Sequence, residues 1–147
     1  TDFIAEKACE MGVRCLVPVF TRHTNSERVR CDRLQAHAIE AAEQCGATAL
    51  PAVAEPVRLA ALLDGWDPKR HLVFCDEGAA GPADWPPLSG PGAVLIGPEG
   101  GFSMTERARL GGLEFCHPVA LGPRILRAET AAVAALTLWQ AKAGDWV

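Results

Sequence analysis

Two short segments hold the residues of this chain best equipped for chemistry. The first is Gly97-Pro98-Glu99-Gly100-Gly101-Phe102; the second is Leu121-Gly122-Pro123-Arg124-Ile125-Leu126-Arg127-Ala128-Glu129-Thr130. Each follows an apolar, strand-like run and leads into a helix-like run. In the first, three glycines within five residues let the backbone take positive φ and come close to a ligand. A glycine loop ahead of a helix suggests phosphate. Here there is no GxGxxG pattern and no Walker lysine, and Glu99 would repel a polyphosphate. A ligand with hydroxyls, an amine or a positive centre suits the loop better. The alternative is a plain tight turn with an exposed Glu99.

In the second segment Gly122-Pro123 breaks a strand, and Ile125 and Leu126 are apolar inside a loop. Apolar loop residues wall a pocket or plug a core. Arg124 and Arg127 flank them, and Glu129 falls in the first turn of the next helix, where its charge suits the helix dipole. The alternative makes Glu129 a helix-start charge and Arg127 its exposed partner. Two such bends in one α/β domain can converge at the carboxyl ends of neighbouring strands, where open α/β sheets bind ligands.

The elements that must position these bends read as an alternation of helices and strands. Helices are expected over Asp2 to Met11 (capped by Gly12), over Arg30 to Cys45, and behind Pro56 with Pro56 in the first turn. Two more are expected after Ser103 and from Arg127 or Ala128 to Ala143. Ser103-Met104-Thr105-Glu106 fits a capping box. Strands are expected over Arg14 to Val19, Ala49 to Val53, His71 to Cys75, Ala93 to Ile96 and Phe115 to Leu121. Residues 20–29 are polar and read as loop, and residues 78–92 hold four Gly and four Pro and also read as loop. The order predicts an α/β fold: a mainly parallel sheet with helices on both faces, in a single domain over residues 1–147.

Apolar residues make up 49% of the 147, charged residues 22%, and the formal net charge is −4. This is a globular balance, and no apolar run reaches the length of a membrane span. The six cysteines form no CxxC pair and the four histidines have no metal-ligand spacing, so we expect reduced thiols, no metal and a cytoplasmic setting. Arg14, Arg22, Arg28, Arg30 and Arg33 stand against only Glu27 and Asp32 in their stretch. A basic stretch in an acidic protein points to a polyanionic partner, with Arg22, Arg28, Arg30 and Arg33 as candidates for nucleic-acid backbone contacts. A solvated helix face is the other reading.

IGPEGGF followed by LGPRILRAETA resembles the signature of the ribosomal RNA small-subunit methyltransferase E family, SPOUT-class enzymes. The likeness extends upstream to Asp2-Phe3-Ile4, Glu6-Lys7, Met11-Gly12-Val13 and the stretch Ala38 to Gly46, so it covers nearly the whole chain. Ala47 departs from it, standing where the family usually has Arg. The resemblance implies S-adenosylmethionine as cofactor and methylation of N3 of a uridine in small-subunit (16S) ribosomal RNA, within the assembled subunit. It also implies a homodimer with the active site at or near the subunit interface and a C-terminal trefoil knot. The family's N-terminal PUA-like domain has no counterpart here, so the chain reads as a front-truncated methyltransferase domain, weakly active or inactive alone. Carried over by position, the cofactor-binding residues are Cys75, Gly97, Pro98, Glu99, Gly100, Leu121, Gly122, Ile125 and Leu126. An adenosyl sulfonium with a free amine, lacking phosphate, agrees with the carboxylate in the first loop.

Methyl transfer to a uridine N3 requires loss of the imide proton, with charge spreading to O2 and O4. Arg127 is the candidate to stabilise that charge. Glu129 is the candidate to take the proton or to orient Arg127. The base must be presented unstacked. The competing readings are a SPOUT enzyme acting on a ribose 2′-hydroxyl, a non-catalytic RNA- or nucleotide-binding module, and a structural subunit. Trp139 and Trp146 are candidate interface aromatics, with Trp139 equally suited to the core.

Overall fold

The structure is a computed structural model and describes residues 2–22, 31–45, 52–76, 85–97, 101–144 and 146. In chain order the elements are α1 (Asp2–Glu10), β1 (Cys15–Leu16), β2 (Val19–Phe20), α2 (Cys31–Cys45), β3 (Ala52–Val53), β4 (Val57–Arg58), α3 (Leu59–Asp64), β5 (His71–Cys75), β6 (Gly92–Ile96), α4 (Met104–Gly111), β7 (Cys116–Val119) and α5 (Ala128–Lys142). Every strand pairing among the described residues is parallel: β1 with β3, β2 with β4, and β5 between β6 and β7. The α/β architecture read from the alternation is therefore the one observed.

The alternation of β5 explains helices on both faces. Successive side chains of a strand point to opposite sides of the sheet. Leu72 and Phe74 join Leu59 and Leu63 of α3, Leu110 of α4, and Leu95, Phe102 and Cys116 on one side. Val73 and Cys75 join Ala135 of α5, Trp85, Leu88 and Val119 on the other. A strand buried on both faces is apolar at every position, as LVFC is. Trp139 packs into this second cluster, so of its two readings the core one holds. Trp146 is 53% exposed.

Prolines account for most departures from the expected boundaries. The single strand expected over Arg14 to Val19 is two short ones separated by Val17-Pro18, because Pro18 has no N–H for the ladder. The ladder still continues across the gap: Ala52 N donates to Arg14 O, Ala54 N to Leu16 O and Val57 N to Pro18 O. Phe20 belongs to β2 rather than to a loop. Pro56 does not open a helix; it precedes β4, and α3 begins only at Leu59. Pro118 sits inside β7, which pairs on one side only among the described residues, where a missing donor is tolerated. Residues 98–100, in one of the loops expected to be knotted, lie outside the described residues.

The capping box forms as expected. Ser103 Oγ accepts from Glu106 N at 3.1 Å, and Glu106 Oε1 accepts from Ser103 N at 2.8 Å. α1 packs against α2 and α5.

Candidate active site

The register of the three-stranded sheet starts the two bends on either side of Cys75. Cys75, the last residue of β5, pairs with Ile96 on one side and with Val119 on the other. Gly97 follows Ile96 directly, and Leu121 comes two residues after Val119. Both bends therefore leave the sheet at one level, each one strand spacing from Cys75, about 4.8 Å to either side. Asp76 N donates to Val119 O at 3.2 Å and extends that level by one residue.

A cleft opens at this end, lined by Cys75, Asp76, Leu121, Arg124, Ile125, Leu126 and Ala131. Four residues expected to bind cofactor, namely Cys75, Leu121, Ile125 and Leu126, are thus brought together. Gly122 lies among them with φ +94°, a conformation that favours glycine. Gly97 has a different reason to be glycine: a Cβ there would meet Phe102 Cε2 at 2.7 Å. Among the described residues of the first bend, the positive φ belongs to Gly101, at +72°. Pro98, Glu99 and Gly100 lie outside the described residues.

Arg127 and Glu129 sit on the same bend, at the N-cap and first turn of α5. Arg127 is exposed and extended (φ −65°, ψ 157°), and its side chain does not cap the helix. No ion pair joins it to Glu129 among the described residues, so neither the surface-pair reading nor orientation of Arg127 through such a pair is realised. Of the candidate RNA contacts, Arg22 is exposed after β2. Arg33 is on α2, its side chain outside what the structure describes, and Arg28 and Arg30 lie outside the described residues.

Three cleft residues were not anticipated as site residues: Asp76, Arg124 and Ala131. Asp76 is held by Arg107 of α4, whose Nη2 reaches Oδ1 at 2.8 Å and Oδ2 at 2.9 Å. Arg124 sits three residues before Arg127 in the apolar loop, and its charge inside that loop was the available signal. Burial pushes the Cys75 thiol up to about 12. It is therefore neutral near pH 7 and serves as a small apolar wall, not as a nucleophile. Cys9, Cys15, Cys75 and Cys116 are free thiols, and no cluster of three or more metal-ligating side chains occurs among the described residues. No helix among them is long and apolar enough to cross a membrane.

A cleft at the carboxyl end of a parallel strand, walled by Leu, Ile and a neutral thiol, with Arg124 and the Arg107-paired Asp76 at its edge, suits a largely apolar small molecule. By its sequence over residues 1–140, the chain belongs to the family described as RNA methyltransferase domain. Its relatives include the ribosomal RNA small subunit methyltransferase E of Buchnera aphidicola subsp. Schizaphis graminum (strain Sg), 31% identical over 98% of this chain and 61% of that protein. The ribosomal RNA small subunit methyltransferase E of Neisseria gonorrhoeae, solved bound to S-adenosyl methionine, superposes with a TM-score of 0.87 at 31% identity, covering 99% of this chain and 62% of that one. A protein of Legionella pneumophila solved with bound SAM gives a TM-score of 0.85 at 32% identity, covering 97% and 61%. The resemblance carried by the two bends is thereby borne out. The chain spans about three-fifths of the length of these relatives.

Proposed function

We propose that this chain is the methyl-transferring part of an S-adenosylmethionine-dependent enzyme acting on N3 of a uridine in small-subunit ribosomal RNA. The observation that carries the reading is the cleft at the end of β5, lined by Cys75 and by Leu121, Ile125 and Leu126 of the second bend, with Arg127 on that same bend. The names and bound ligands of the relatives support the cofactor and the RNA class. The lining supports the cofactor: Leu121, Ile125 and Leu126 suit an adenosyl group, and the neutral Cys75 adds no charge of its own. When bound, S-adenosylmethionine supplies an electrophilic methyl group on a sulfonium.

The chain's own residues supply the rest. Arg127, exposed and without a described ion-pair partner, directs its guanidinium toward O2 and O4 of the uracil, where negative charge grows as N3 is deprotonated. Glu129, half-buried in the first turn of α5, takes the N3 proton on its carboxylate. The cleft walls limit water and fix the approach. Arg22, Arg28, Arg30 and Arg33 bind RNA phosphates. Ile125, apolar and 82% exposed at the rim, is suited to cover by a second copy of the chain in a homodimer.

The test is methylation of small-subunit ribosomal RNA by the active protein with methyl-labelled cofactor, followed by nucleoside analysis. Label on N3-methyluridine supports the reading. Label on a ribose 2′-oxygen assigns the cleft to the other SPOUT chemistry. A thermal shift with ATP and none with S-adenosylhomocysteine removes the cofactor assignment.

A further inference from the structure

Glu106 has two jobs in this structure, and the capping box uses only one of its oxygens. Oε1 accepts from Ser103 N at 2.8 Å and closes the box at the start of α4. Oε2 accepts from the backbone N–H of Arg22 at 3.2 Å, across 84 residues of sequence. Arg22 belongs to the basic stretch, whereas α4 follows the glycine bend. The neighbouring Arg107 points another way, to the Asp76 carboxylate at the cleft edge. Residues one apart on a helix are about 100° apart around its axis. The first turn of α4 therefore holds the Arg22 segment with one side chain and the cleft edge with the next.

We infer that Glu106 is a positioning residue for the RNA substrate: its second carboxylate oxygen fixes the Arg22 segment at a set distance from the methyl-transfer cleft. This rests on the reading of the chain as an RNA methyltransferase with Arg22 on the RNA backbone. A carboxylate is needed because it accepts through both oxygens, whereas an amide offers one oxygen and an NH2 that faces any second donor. Glutamine at this position keeps the capping box and loses the Arg22 anchor.

The experiment measures RNA and cofactor affinity separately in the active protein carrying Glu106→Gln, Arg22→Ala, both substitutions, and Ser103→Ala. Arg22→Ala keeps the backbone N–H and removes only the guanidinium. Glu106→Gln is expected to weaken small-subunit RNA binding roughly tenfold, the loss typical of one charge-assisted hydrogen bond, with S-adenosylhomocysteine affinity unchanged. In the Arg22→Ala background the same change is expected to have little further effect, since the side chain it positions is gone. Ser103→Ala, which breaks the cap but leaves the carboxylate, lowers thermal stability without weakening RNA binding. Additive losses from Glu106→Gln and Arg22→Ala overturn the proposal, as does an RNA loss in Ser103→Ala equal to that in Glu106→Gln. If Glu106→Gln does not fold, Glu106→Asp serves in the same cycle: its shorter carboxylate is judged by the same non-additivity. A wild-type protein that binds cofactor but no RNA overturns the functional reading itself, whereas intact RNA binding with additive losses overturns only the role of Glu106.

Discussion

Arg107 grips both oxygens of Asp76, joining the helix that follows the glycine bend to the residue that follows the central strand. The pair lies where β5 ends and the cleft begins, and Asp76 is only 16% exposed. Arg107→Ala removes this contact to a largely buried carboxylate and is expected to cost about 1 kcal/mol of folding stability. Asp76→Asn is expected to cost less, because the charge left over is that of Arg107, which is 40% exposed and solvated. A double-mutant cycle by denaturant unfolding checks this; purely additive effects mean that the contact is energetically idle.

On the proposed reading Arg127 stabilises charge on the base and does not hold the cofactor; it is not among the residues that line the cleft. Arg127→Ala should therefore lower kcat by about 100-fold or more while S-adenosylhomocysteine affinity stays near wild type. Single-turnover kinetics with calorimetric binding separate the two quantities. Unchanged turnover removes Arg127 from the chemistry.

Gly97 has room for no side chain. A methyl group there meets Phe102, which is buried and packs edge-on against Phe74 with ring centroids 4.8 Å apart. Gly97→Ala is expected to destabilise the fold by roughly 1–3 kcal/mol through overpacking. It also displaces the start of α4 and so weakens cofactor binding. A thermal midpoint equal to wild type would show that the ring moves aside freely.

His71 Nδ1 and His117 Nε2 lie 2.9 Å apart, bridging β5 and β7. Desolvation, and then the charge of His71, hold the His117 imidazole below its ordinary value of 6.5. The unfolded chain thus binds the proton more readily than the folded one. The stability contribution is complete above about pH 6.5 and is lost as pH falls from there toward the lower folded value. Thermal unfolding between pH 8 and pH 5 is expected to fall more steeply in the wild type than in His117→Gln. Parallel curves would show that the pair does not titrate across this range.

RNA affinity should fall steeply with salt if the basic stretch contacts phosphates. Each of Arg22, Arg28, Arg30 and Arg33 replaced by Ala should flatten the log–log slope by about 0.7 on single-stranded RNA. Filter binding at several salt concentrations measures it. A slope unaffected by all four returns them to a solvated face.

The strands and helices were legible where one local signal decided them. HLVFC is apolar throughout because β5 is covered on both faces, and Ser103 with Glu106 announces a helix start within four residues. Pro56 misled because proline suits both a first helical turn and a residue ahead of a strand; the pairing of Val57 with Val19 settled which. The cleft was half legible. Leu121, Ile125 and Leu126 stood out as apolar residues in a loop. Asp76 did not, since its meaning comes from Arg107, 31 residues away. His71 with His117, and Arg22 with Glu106, escaped for the same reason: their partners are set by the three-dimensional register, not by spacing along the chain.

Because β5, β6 and β7 run the same way, their carboxyl ends carry the cleft while their pairing is made lower down, between Leu72 and Cys75 and their partners. Holding the sheet together and walling the cleft thus meet at Cys75, whereas Arg124, Ile125 and Leu126 line the cleft from outside the ladder. On the proposed reading, changes confined to those three residues alter what the cleft accepts and leave the paired strands beneath intact.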